Sequence, residues 1–178
     1  MKFTAMKKIQ KPAAEEYPSY AEMYIGLLPD DGLILQHLQT NFVNVKALIA
    51  TLSPEQLNYA YQPGKWTIKE ILTHIIDDER IYSYRALCFA RNDHTALPGF
   101  DQEDYSDNSE TDQRDIANIM QEYEAVRYAT IALFNGLSDA ALKRYGTAND
   151  NKATARALCY HIAGHELHHI NFIKAFYL

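Results

Sequence analysis

The sequence is short of cysteine, of basic charge and of long apolar runs, and each shortage closes off a class of protein. Its two cysteines, Cys88 and Cys159, form neither a C-x-x-C pair nor a disulfide framework, and both fall in predicted helices. They read as packing residues of a protein in a reducing cytoplasm. Lysine and arginine number 17 against 23 aspartates and glutamates, a net charge of -6. With no dense basic cluster to override that balance, nucleic acid is excluded as a partner. The lysines at 2, 7, 8 and 11 are followed by no uninterrupted apolar stretch, so neither a signal peptide nor a membrane anchor is expected, and a cytoplasmic protein acting on a small molecule is. A length of 178 residues suits one domain with one sizeable core. Oligomeric state is not set by these features, and a homodimer is compatible with them.

What is present is helical periodicity. Residues 1–18 mix Lys, Gln, Pro and Glu without a period and predict a mobile N-terminal tail, leaving 19–178 as a single domain. Residues 17–28 are too apolar to be left in water and predict an arm lying along the body up to Pro29. Apolar residues at three-and-four spacing then predict four long helices, near 30–52, 67–90, 110–135 and 151–177, with essentially no sheet. Asp30 or Asp31 can cap the first. Thr67 with Glu70 three residues on makes a capping box for the second, and Ser53-Pro54 opens a single short turn between them. Residues 91–109, with Pro98-Gly99 and a run of Asp, Asn and Ser, form a long loop that suits a lid or a plain crossover. Leu52–Leu57 and Leu137–Leu142 share a leucine, a capping serine and a second leucine, so two helix pairs have similar joints.

The last helix carries four of the seven histidines. On a helical wheel His165 lies about 50° and His169 about 10° from the centre of the apolar stripe, while His161 and His168 fall roughly 90° to 110° away. His165 and His169, four residues apart and both inward, stack on successive turns and can reach one ion, an arrangement suited to zinc or nickel. The plain alternative is a pair of hydrogen-bonded core histidines. His165-Glu166-Leu167-His168-His169 also matches the H-E-x-x-H pattern of zinc proteases. However, no His, Cys, Asp or Glu follows His169, so a third protein ligand has to come from upstream, and Glu166 projects about 60° from His169 and about 100° from His165. Glu166 is expected to support the ligands from behind or to be structural, and not to act as a protease-type general base. On the second helix His74 projects from one edge and can border a pocket, and Glu79 points within about 30° of the apolar centre, which requires a partner or a cavity. His37 and His94 are unpromising as ligands. A di-iron carboxylate centre is excluded, because only Glu166 and His169 have the Glu-x-x-His spacing.

The run Trp66-Thr67-Ile68-Lys69-Glu70-Ile71-Leu72-Thr73-His74-Ile75-Ile76-Asp77-Asp78-Glu79, together with His165-Glu166-Leu167-His168-His169, resembles the DinB/YfiT-like superfamily. The resemblance extends over residues 20–178 and takes in Tyr24-Ile25-Gly26-Leu27-Leu28-Pro29 and Leu97-Pro98-Gly99-Phe100-Asp101. It implies an all-α, up-down-down-up four-helix bundle whose second and fourth helices bring three histidines to one divalent metal, here His74, His165 and His169. Three neutral histidines leave coordination positions open to water, as catalytic sites do. The implied function is a metal-dependent hydrolase. The alternatives are a metal-dependent transferase or isomerase using a low-molecular-weight thiol as cosubstrate, and a non-catalytic interaction bundle. Tyr, Asp and Arg side chains on the open side of the site would speak for chemistry, and a wall of Leu and Phe for the interaction bundle.

Overall fold

Side-chain caps decide where three of the four long helices begin, at Thr67, Asp115 and Thr154, whereas the first starts without one. In the computed structural model, which describes residues 5–178, the chain runs through α1 (Glu22–Ile25), α2 (Ile34–Ile49), α3 (Pro54–Leu57), α4 (Ile68–Ala90), α5 (Gln102–Asp107), α6 (Ile116–Asn135), α7 (Asp139–Leu142), the strands β1 (Tyr145–Ala148) and β2 (Asn151–Thr154), and α8 (Ala155–Phe176). The Thr67–Glu70 capping box opens α4 as expected. Asp31 does not cap α2. Its carboxylate accepts the Leu33 amide ahead of the helix and pairs with His37 at 2.9 Å. The third helix starts at Ile116 because Asp115 supplies the cap, after a 3-10 turn at Thr111–Gln113 preceded by Glu110 in a left-handed conformation.

Residues 151–154, expected as the first turn of the last helix, are a strand. Asn149 and Asp150 take positive φ of 48° and 58°, the paired left-handed conformation of a two-residue turn whose twist matches antiparallel strands. The register runs from Tyr145 opposite Thr154 to Ala148 opposite Asn151. Thr154 then accepts the Ala157 amide and starts α8. Among the described residues, sheet is confined to this small hairpin and a bridge from Leu97 to Ala148, and the fold is otherwise helical as expected.

Contacts between named residues set the helix directions. Leu38 and Phe42 of α2 meet Arg127 and Tyr123 of α6 in reverse order. Ser83 of α4 meets Thr130, and Glu79 meets Arg127, in the same order. Tyr82 and His74 of α4 face His161 and His169 of α8 in reverse. The bundle is therefore up-down-down-up. Its apolar interior divides into one cluster holding Leu38, Phe89, Phe134 and Ile162 and another holding Phe42, Leu72, Ile119 and Ile173. Glu79, Arg127 and Glu166 lie between the two in sequence on their helices, with at most 1 % of each side chain exposed.

The arm packs as expected, with Ile25 and Leu28 buried. It reaches α8 at Gly164, where an added Cβ would stand 2.3 Å from the Tyr24 carbonyl oxygen. The tail differs from expectation. Residues 1–4 lie outside the described residues, but Ile9 is buried, its amide bonds to Gly32 and its carbonyl accepts the Tyr160 hydroxyl at 2.8 Å. Glu16 pairs with Arg156 and accepts the Thr154 hydroxyl. A docking segment held by single side chains has no period to betray it. Among the described residues, no helix is long and apolar enough to cross a membrane.

Candidate metal centre

Antiparallel packing of α4 on α8 carries His74 to the two inward histidines of the last helix. The Nε2 of His165 stands 3.1 Å from that of His74 and 3.1 Å from that of His169. One nitrogen from each of the three lies within 4.8 Å of the others. Tetrahedral or octahedral ligation at about 2.0–2.1 Å places neighbouring ligand nitrogens roughly 2.8–3.4 Å apart, so the two 3.1 Å separations suit a shared ion. Burial pushes all three imidazoles below their ordinary pKa, His169 to about 3, with the neighbouring rings adding to the effect at His165 and His169. They are neutral at neutral pH and offer lone pairs without first losing a proton. His74 is packed against Trp66, with ring centroids 4.8 Å apart.

Behind His165 stands Asp78, a residue to which the sequence reading assigned no role. Its Oδ2 lies 3.4 Å from His165 Nδ1, the carboxylate–histidine arrangement that selects the tautomer and aims Nε2 forward. Burial alone would favour the protonated acid, but the imidazoles of His165, His161 and His74 hold this carboxyl below its usual range. Its place four residues after His74, on the same helix face, was a usable signal.

The other histidines stay out of the cluster. His161 is buried more deeply than its wheel position suggested, because the arm covers that flank. Its ring stacks on Tyr82 with centroids 3.9 Å apart and touches Tyr24 edge-on. His168 faces Tyr24 from the other side, and His94 lines a separate surface cavity. Glu166 is fully buried and turned away, accepting the Tyr123 hydroxyl and a 3.1 Å bond from Arg127. Arg127 also holds both oxygens of Glu79. Arg127 escaped the sequence reading, although it follows Tyr123 by four residues on the buried face of α6.

Two cavities flank the cluster. One of about 430 Å³ adjoins His74 and His165, and one of about 240 Å³ adjoins His169. Gln102 and Glu103, at the start of α5, line both. The loop between α4 and α6 is thus a roof over the site, and the hairpin holds it in place. Leu97 exchanges backbone bonds with Thr147 and Asn149, and Arg85 donates to the Pro98 carbonyl at 2.9 Å.

Fold and site together define a four-helix bundle with a roofed three-histidine centre. The DinB superfamily matches residues 37–173, and the chain belongs to it. A protein of Oceanobacillus iheyensis provisionally named a metal-dependent hydrolase is 24 % identical over 142 residues, which cover 79 % of this chain and 81 % of that protein. A solved structure, YfiT from Bacillus subtilis, described as a probable metal-dependent hydrolase with an unusual four-helix bundle topology, matches 97 % of this chain and 93 % of its own, with a TM-score of 0.75 and 18 % identity. At that identity the likeness speaks for the fold.

Proposed function

We infer that the protein is a metal-dependent hydrolase whose single divalent ion, zinc or nickel, is held by His74, His165 and His169. The observation that carries this reading is the convergence of three neutral imidazoles, with His165 Nε2 3.1 Å from the Nε2 of both His74 and His169 and one nitrogen of each ring within 4.8 Å of the others. A divalent ion there supplies a Lewis acid for a carbonyl or phosphoryl oxygen and brings the pKa of a bound water toward about 7. The chain's own residues do the rest. Asp78 orients His165, Trp66 backs His74, and the start of α5 screens the cluster from bulk water. Tyr20, Tyr24, Tyr82, Asp78 and Asn149 line the larger cavity. That lining supports chemistry over a purely interacting bundle, which would present an apolar wall.

Metal content of the wild type and of five alanine variants tests the ligand set. His74→Ala, His165→Ala and His169→Ala should each lose the ion and the stabilisation it gives the folded state, about 2.7 kcal/mol at a metal concentration a hundred times Kd. His161→Ala and His168→Ala should keep one ion per chain. Retention in His169→Ala with loss in His168→Ala would refute the ligand assignment. An esterase and amidase screen, run beside a thiol-conjugation screen, tests the reaction class, and turnover only in the thiol screen would replace hydrolysis by transfer.

A further inference from the structure

The smaller cavity beside His169 is walled by rings. Tyr61, Trp66, Phe172 and Tyr177 line it together with Ile71, and His169 joins that wall to the histidine cluster. Its volume is about 240 Å³, below the roughly 300–1,000 Å³ of pockets that take drug-sized ligands. It has room for one ring and a short chain, and none for a protein segment. The rings hold one another in place. Tyr61 meets Phe172 and Tyr177 edge to face, with centroids 5.6 and 5.3 Å apart, and the Tyr177 hydroxyl donates to the Trp66 carbonyl. A wall set in advance spares an incoming ligand the cost of ordering it. Lys65 and Glu103, both exposed, bring opposite charges to the lining, so it does not select an ion.

The larger cavity also has rings, but they are engaged. Arg85 lies over Tyr82 and Phe100, at 5.0 and 5.8 Å from the ring centroids, His161 stacks on Tyr82, and Tyr24 meets His161, His165 and His168 edge-on. In the smaller cavity, by contrast, Trp66 packs among the described residues against a single ring, that of His74. We propose that the smaller cavity is an aryl pocket, in which the substrate seats an aromatic ring among Tyr61, Trp66 and Phe172. The inference rests on the hydrolase reading and names its substrate class, an ester or amide with an aromatic ring a few bonds from the scissile carbonyl. That short spacing follows from His169, which belongs both to the cavity wall and to the ligand set. Rings attract one another edge-on or offset beyond the area they bury, by about two- to tenfold in affinity. A saturated ring of similar size gains the burial and lacks this attraction, so comparing the two separates ring recognition from plain apolar burial.

Trp66 is the chain's single tryptophan, and its fluorescence reports on this cavity and not on the larger one. Titrated into the zinc-loaded full chain, 2-phenylethanol should change Trp66 emission saturably and bind, by calorimetry, at least about twofold more tightly than 2-cyclohexylethanol. Tyr61→Leu and Phe172→Leu each keep an apolar side chain and remove one ring of the wall. Each should weaken 2-phenylethanol about two- to tenfold and abolish most of the preference, whereas Tyr20→Leu, in the larger cavity, should change neither. Equal or tighter binding of the saturated alcohol, no measurable binding of 2-phenylethanol, binding without a Trp66 response, or a preference intact in both ring variants would overturn the proposal. Because binding is read without turnover, an aryl-selective protein that hydrolyses nothing would sink the hydrolase reading alone. Ester hydrolysis without aryl preference would sink only this inference.

Discussion

Arg127→Met is the sharpest probe of how the bundle is held together. Arg127, Glu79 and Glu166 expose at most 1 % of their side chains. The guanidinium reaches both Glu79 oxygens, Glu166 and the Leu38 carbonyl, and so ties α6 to α2, α4 and α8 at one level. Methionine fills much of the volume but leaves two buried carboxylates facing each other. Removing one partner from a buried ion network costs about 3–5 kcal/mol, because the charges left behind are uncompensated. In a chain of 178 residues each kcal/mol moves Tm by about 2–4 °C, so melting should fall by about 6–20 °C. A double-mutant cycle separates charge compensation from simple packing loss. In the wild-type background Glu79→Gln breaks a bidentate pair and destabilises. In the Arg127→Met background the same change removes a stranded charge and should stabilise. Urea unfolding of the four proteins gives both numbers. A loss under about 1 kcal/mol for Arg127→Met, or a Glu79→Gln effect of the same sign and size in both backgrounds, would refute the reasoning.

Gly164→Ala should destabilise by about 1–3 kcal/mol, since its methyl group would displace the Tyr24 backbone; a faster protease cut near Tyr24 checks that the arm is what moves, and unchanged melting would contradict the close approach. Glu16→Gln tests the docked N-terminal segment. Burial opposes ionisation of Glu16, but the bonds from Arg156, Ala13 and Thr154 outweigh it and hold the carboxyl below 4.5. The stability this adds is present above the unfolded pKa and is lost as pH falls through the lower folded value. Glu16→Gln should therefore melt below wild type at pH 7, by an amount worth about 1 kcal/mol after allowing for solvent screening, and the two proteins should converge as the solution is acidified below 4.5. A gap that stayed constant with pH would rule out the ion pair as its source.

Local rules were enough to read the helices and their inward histidines. Thr67, Ser53 and Ser138 act as caps in the structure because capping needs only neighbours three residues away. His165 and His169 share a face because a helix turns by about 100° per residue, and Glu79 needed a partner because it stood on an apolar stripe. His74 as their companion came only with the family resemblance, since periodicity on α4 says nothing of what α8 brings opposite. The hairpin was missed although Asn149-Asp150 carried its turn, because four-residue strands show too little alternation to outweigh a helical reading that began at residue 151. Asp78 behind His165, Arg127 between two glutamates, Ile9 in the core and α5 as a roof are contacts between residues 39 to 151 positions apart or segments on separate elements. No local period encodes such pairings. The sequence by itself determined which faces must be buried and which histidines share one of them; tertiary packing alone decided what each buried polar group meets, because that depends on which helix face arrives from across the bundle.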